Sequence, residues 1–150
     1  MHEPETRESR IENPAVVLAV WQDRLKILVS EVKKWVEGAG WRTRTIEKPI
    51  NERKLGRYMV PVLLMEKDTV ELALNPVSPL VPGAEGAVDL YIVPAYDDVA
   101  SLYFEKEQWV IHYAFPADSE ETHTVIEPKA MPLSEEAILR VLNLMALHAA

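Results

Sequence analysis

Cysteine is absent from all 150 residues. Disulfide frameworks, thiolate nucleophiles and CxxC-type metal sites are therefore closed to this chain. Long apolar runs are also missing, and none approaches the roughly 18 residues of a membrane span. Met1 to Glu12 is charged and lacks the apolar stretch of a signal peptide. Glycine is scarce, at 5 residues. Two of these sit in Gly83-Ala84-Glu85-Gly86, but no GK[ST] follows and no helix begins there, so this is no phosphate cradle. No GxSxG or similar context surrounds Ser30, Ser78, Ser101 or Ser119. The expectations are a cytoplasmic chain, without membrane contact and without a cofactor.

Positive charge is the last scarcity, and it is local. Residues 1–57 hold 12 basic and 9 acidic side chains, whereas residues 58–150 hold 4 basic and 15 acidic. The balance runs from +3 to −11 within a net charge of −8. From Gly86 to Glu127 Lys106 stands alone against nine carboxylates. Such a surface attracts basic proteins and repels nucleic acid and anionic lipid. The competing reading is that these carboxylates only populate turns and keep the protein soluble. The basic stretch from Arg42 to Arg57 includes Glu47 and Glu52 and lacks interleaved aromatics, so nucleic acid is not the expected partner.

Apolar residues make up 48% of the chain, enough for a real core. Residues 1–12 show no apolar periodicity and read as a mobile tail. Residues 13–150 read as a single α+β domain. Asn13-Pro14 is a helix start, an N-cap followed by proline at the first helical position. Leu18, Trp21, Leu25, Leu28, Val32 and Trp35 then repeat at spacings of three and four, one face of a helix. Gly38-Ala39-Gly40 supplies its C-cap, with Lys33 and Lys34 expected near the negative end of the dipole.

Beyond it the texture becomes that of strands. Trp41–Ile46 alternates, residues 47–56 read as a charged connection, and Arg57–Met65 and Thr69–Leu74 flank a turn at Glu66-Lys67-Asp68. Pro61 marks its arm as an edge strand or the site of a bulge. Residues 75–86 hold three prolines and two glycines and read as a long loop. Ala87–Val93, Leu102–Glu105, Trp109–Phe115 and a short strand at His123–Ile126 follow. Ser134 is the N-cap of a last helix, with Glu135 and Glu136 in its first turn and Ile138, Val141, Leu142 and Met145 on one face. The predicted fold is α+β. It has a mainly antiparallel sheet of about six or seven strands, with a long N-terminal and a C-terminal helix packed on one face.

Chemistry is harder to place. His112 and His123 lie in neighbouring predicted strands, and with Asp89 and Glu127 they offer the residue types of a metal-dependent hydrolase. No HxH or HExxH spacing supports them, and Pro128 interrupts the nuclease-like Glu127-Pro128-Lys129. No metal site is assigned. Tyr91, Tyr96 and Tyr103, with Asp97, Asp98 and Glu105, form the alternative: an aromatic and acidic patch suited to a basic peptide. Packing within the sheet is the competing role for each tyrosine.

In outline this layout resembles the small acidic secretion chaperones, which pair helices with a twisted sheet. The resemblance lies in layout alone and carries no residue across. The leading expectation is a non-enzymatic protein-binding module, chaperone-like or immunity-like, whose acidic surface takes a basic protein or peptide. A metal-dependent hydrolase or nuclease-like enzyme is the second. The third is a homo-oligomeric structural subunit, such as a homodimer paired through a free sheet edge.

Overall fold

Capping chemistry sets both ends of the first helix. In the computed structural model, which describes residues 13–115 and 127–149, α1 spans Pro14–Gly38. The Asn13 side chain accepts from the Ala15 N–H at 3.1 Å and the Val16 N–H at 3.4 Å. At the other end Gly40 takes φ +94°, a conformation that a Cβ disfavours. That lets the Trp41 N–H reach Val36 O at 3.0 Å and the Gly40 N–H reach Glu37 O at 3.1 Å, the paired bonds of a Schellman cap. Lys33 and Lys34 lie outside the last turn, which holds no base. The cation at this helix end is instead Lys67, whose ammonium donates to Ala39 O at 3.3 Å.

Seven strands follow: β1 (Arg42–Glu52), β2 (Gly56–Lys67), β3 (Val70–Ser78), β4 (Ala87–Ile92), β5 (Asp97–Glu105), β6 (Gln108–Phe115) and β7 (Glu127–Pro132). They form one sheet in chain order, every neighbour antiparallel. The last helix, α2, spans Glu135–Ala149. Ser134 caps it as expected, its Oγ accepting from the Ala137 N–H at 3.0 Å. The α+β class, the antiparallel sheet and the two terminal helices agree with the sequence reading.

Both helices pack on one face of the sheet. Trp21, Leu25 and Val32 of α1 and Ile138, Val141 and Leu142 of α2 share a core with Leu74, Leu90, Leu102 and Ile111 of the strands. The Trp21 ring lies so close to the backbone that a Cβ on Gly86 would sit 2.3 Å from it. Among the described residues no helix lies on the opposite face. There the register lines up Asn75, Asp89, Ser101 and His112 on four successive strands.

Several boundaries differ from the sequence reading, each for a physical reason. Residues 47–52 are strand rather than connection, because β1 stays paired with β2 out to Glu52 and Gly56. The link is Arg53-Lys54-Leu55, and Gly56 closes it at φ +78°. Pro76 lies inside β3, not in a loop. It is tolerated because β2 pairs with β3 only from Leu63 to Lys67, which leaves Asn75–Ser78 bonded to β4 alone. Pro61 falls in the part of β2 that β3 does not reach, so that arm is a local edge.

The β1–β2 register runs unbroken past Pro61, so no bulge lies there. The buried positions of β2 nevertheless change parity, from Tyr58, Val60 and Val62 to Leu63 and Met65. Twist, which is larger in a two-stranded ribbon than in a full sheet, changes which side chains face the core without an inserted residue. The strand expected at His123–Ile126 lies outside the described residues. The strand at Glu127–Pro132 was not expected.

Candidate functional site

The uncovered face carries a polar cluster at the point where β2 leaves β3. The Lys48 ammonium reaches across that gap from β1. It bonds to Asn75 Oδ1 and, at 3.3 Å, to Pro76 O, a carbonyl beyond the reach of β2 pairing. Burial pushes the Lys48 amine down from the usual lysine range, and the negative charge of Asp89 opposes that shift. Asn75 Nδ2 in turn donates to the Tyr91 hydroxyl at 3.0 Å.

Tyr91 and Tyr96 stack at 4.2 Å between ring centroids, tilted by 47°. The Tyr96 hydroxyl donates to Asp89 Oδ2. That bond, then burial, then the carboxylate's charge push the Tyr96 phenol up to about 12. Tyr96 is still 52% exposed. The result is a chain of contacts, Lys48–Asn75–Tyr91–Tyr96–Asp89, whose exposed member is Tyr96.

The turn that delivers Tyr96 to this face delivers Asp98 to the other. Tyr96 and Asp98 take φ +51° and +49°, values that an αL aspartate tolerates better than most residues. Between the pairs Leu90–Ala100 and Ile92–Asp97, Tyr91 alone faces both Asp98 and Val99. This is a β-bulge with its first residue in the left-handed region, a device that re-aims side chains. The Asp98 carboxylate turns to the helix layer. There the Tyr113 hydroxyl donates to it at 2.8 and 3.0 Å, and His148 Nδ1 of α2 lies 2.6 Å away. Burial and the carboxylate push the Tyr113 phenol above its ordinary value.

The two sets of sequence-predicted residues are thus partly gathered and partly dispersed. Tyr91, Tyr96 and Asp89 come together. Asp97 is exposed at the turn, and its Oδ1 accepts from the Asp98 N–H at 2.9 Å. Asp98 belongs to the helix-side cluster. Tyr103 and Glu105 are half-buried further along β5, and Tyr103 meets His112 edge-on at 5.1 Å.

Among the hydrolase candidates, Asp89 and His112 share the uncovered face, with Ser101 between them in the row. His112 Nε2 is buried without a hydrogen-bond partner among the described residues. In β7 the residue opposite His112 is Ala130, whereas Glu127 pairs with Phe115. His123 lies outside the described residues. Among the described residues no three His, Asp or Glu side chains converge as metal ligands.

Sequence reasoning missed Lys48, Asn75, Tyr113 and His148. Lys48 and Asn75 were assigned to connections, so no facing was asked of them. His148 did carry a signal: it continues the buried spacing of Val141 and Met145 by one more turn. Charge is also paired across β1 to β3. Arg42 meets Glu66 at 2.7 Å and Arg44 lies 3.7 Å from Glu71, so part of the basic stretch is answered within the sheet. No helix of the described residues is long and apolar enough to cross a membrane. No protein family, curated protein or solved structure matches this chain.

Proposed function

We propose that this chain is a non-enzymatic protein-binding module that takes a basic segment of a partner on the uncovered sheet face, at Tyr91, Tyr96 and Asp89. One observation carries the reading: a stacked tyrosine pair, half-exposed at its outer ring, is held by a carboxylate beside an internal ammonium. Aromatic faces and carboxylates attract Lys and Arg side chains. Asp97, exposed at the same turn as Tyr96, adds a second carboxylate beside the ring. The −11 balance after residue 57 supplies long-range attraction for the same partner.

Fluorescence anisotropy with a labelled peptide alternating Lys and Gly tests this reading, with a Glu–Gly peptide as control. The Lys peptide binds, and its affinity falls as salt rises. The Tyr96→Ala and Asp89→Asn variants each weaken it by about tenfold, roughly 1.4 kcal/mol. Equal binding to both peptides, or variants that bind like the parent, would reject the proposal.

A further inference from the structure

The solvent side of α1 carries a second surface, separate from the tyrosine cluster. Val16, Val20 and Ile27 are 56, 48 and 55% exposed. They stand at i, i+4 and i+11, which places them on one stripe of the helix. The core does not use this stripe, since α1 buries Trp21, Leu25, Leu28 and Val32 on its other side.

Two depressions open beside the stripe and share Val20 and Arg24. One, of about 290 Å³, reaches Val16, Pro79 and Glu85. The other, of about 350 Å³, reaches Ile27, Phe104 and Trp109. Together they make a groove along α1 from Val16 to Glu31, about 22 Å at the rise of an α-helix. Its floor is rigid. The Arg24 guanidinium lies 3.7 Å from the Phe104 ring centroid and donates to Glu85 O at 3.4 Å, and Phe104 meets Trp109 edge-on at 5.3 Å.

The charge of the lining is one-sided. Asp23, Glu31, Glu85 and Glu107 line the groove, against Arg24 as its one base among the described residues. Arg24 is already occupied by Phe104 and Glu85. The walls are a helix, a loop and the β5–β6 turn, while among the described residues the edge strands of the sheet are β1 and β7. An extended peptide would find no strand edge here to satisfy its backbone, whereas a helix satisfies its own.

We infer that this groove docks a short amphipathic helix of another protein, apolar on one face and rich in Lys and Arg on its flanks. Val20 and Ile27 receive the apolar face. Glu31 and Glu107 receive the basic flank. This inference stands on α1 and the β5–β6 turn, and it does not depend on the cluster around Tyr96.

The test uses the full chain and two labelled helical peptides of about 15 residues, long enough to span the groove. Both carry Leu at i, i+4, i+7 and i+11; one has Lys on its flanks and the other Glu. In a Tyr96→Ala background, which removes the sheet-face cluster from the measurement, the Lys peptide still binds. The exposed double variant Val20→Lys/Ile27→Lys keeps its circular dichroism and binds about tenfold more weakly. Glu31→Lys/Glu107→Lys loses the Lys peptide and gains the Glu peptide. Absence of binding, equal binding of both peptides, or indifference to Val20 and Ile27 overturns the inference. So does a dimer in sedimentation velocity that Ile27→Lys dissociates, because the occupant is then a second copy.

Discussion

His148 Nδ1 lies 2.6 Å from Asp98 Oδ2, a contact between the last turn of α2 and the bulge that opens β5. The residues are fifty apart in sequence, and the same carboxylate also takes the hydroxyl of the buried Tyr113. One aspartate therefore fastens the C-terminal helix to two strands.

Removing that acceptor costs more than removing the histidine. Asp98→Ala leaves the Tyr113 hydroxyl without its carboxylate and frees the end of α2. It is expected to destabilise by about 1.5–3 kcal/mol, the range for losing a hydrogen bond to a charged group. His148→Ala is expected to cost under about 1 kcal/mol, because the histidine side chain is 41% exposed. Urea unfolding of both variants and the double variant checks the order. A His148→Ala loss as large as that of Asp98→Ala would contradict it.

Gly86 is a packing constraint imposed by Trp21. A methyl group there meets the indole at 2.3 Å, well inside van der Waals contact. Gly86→Ala should destabilise by about 1–3 kcal/mol through overpacking. In a Trp21→Phe background, which costs stability itself, the added loss should shrink. Thermal melts of the four proteins measure the coupling; strict additivity would show that the two residues do not meet in solution.

Tyr96 should report its bond to Asp89 by titration. Its phenol is held up to about 12, while a free tyrosine ionises near 10. The raised value means the folded chain holds this proton more tightly than the unfolded one. The stabilisation is complete below about pH 10 and is lost as pH rises toward 12. Phenolate absorbance, compared with that of Tyr96→Phe, isolates the group. Asp89→Asn should bring its midpoint down toward the free value. An unmoved midpoint would place Tyr96 away from the carboxylate.

Local physics made much of this chain readable in advance. Asn13-Pro14, Gly40 and Ser134 act within a turn of themselves, so the helix ends could be read from single residues. The spacing of Trp21, Leu25, Leu28 and Val32 is a property of one helix, and it identified the buried face. Alternation places Trp109, Ile111 and Tyr113 of the expected strand Trp109–Phe115 on one side of the sheet, and Ile111 and Tyr113 are buried there.

Tertiary structure decided what depends on partners distant in the chain. Pro76 looked like a loop residue because its tolerance in β3 depends on where β2 stops, some dozen residues earlier. Lys48 looked like a connector because its acceptors, Asn75 and Pro76, lie on a strand it does not pair with. Asp98 was grouped with Tyr96 because they are neighbours in sequence, and a bulge sent their side chains to opposite faces. Patterning and capping are short-range, so the sequence by itself set the helices, most strands and the charge imbalance. Register, twist and the meeting of Asp98 with His148 are long-range, so they exist only once the sheet has closed the distance.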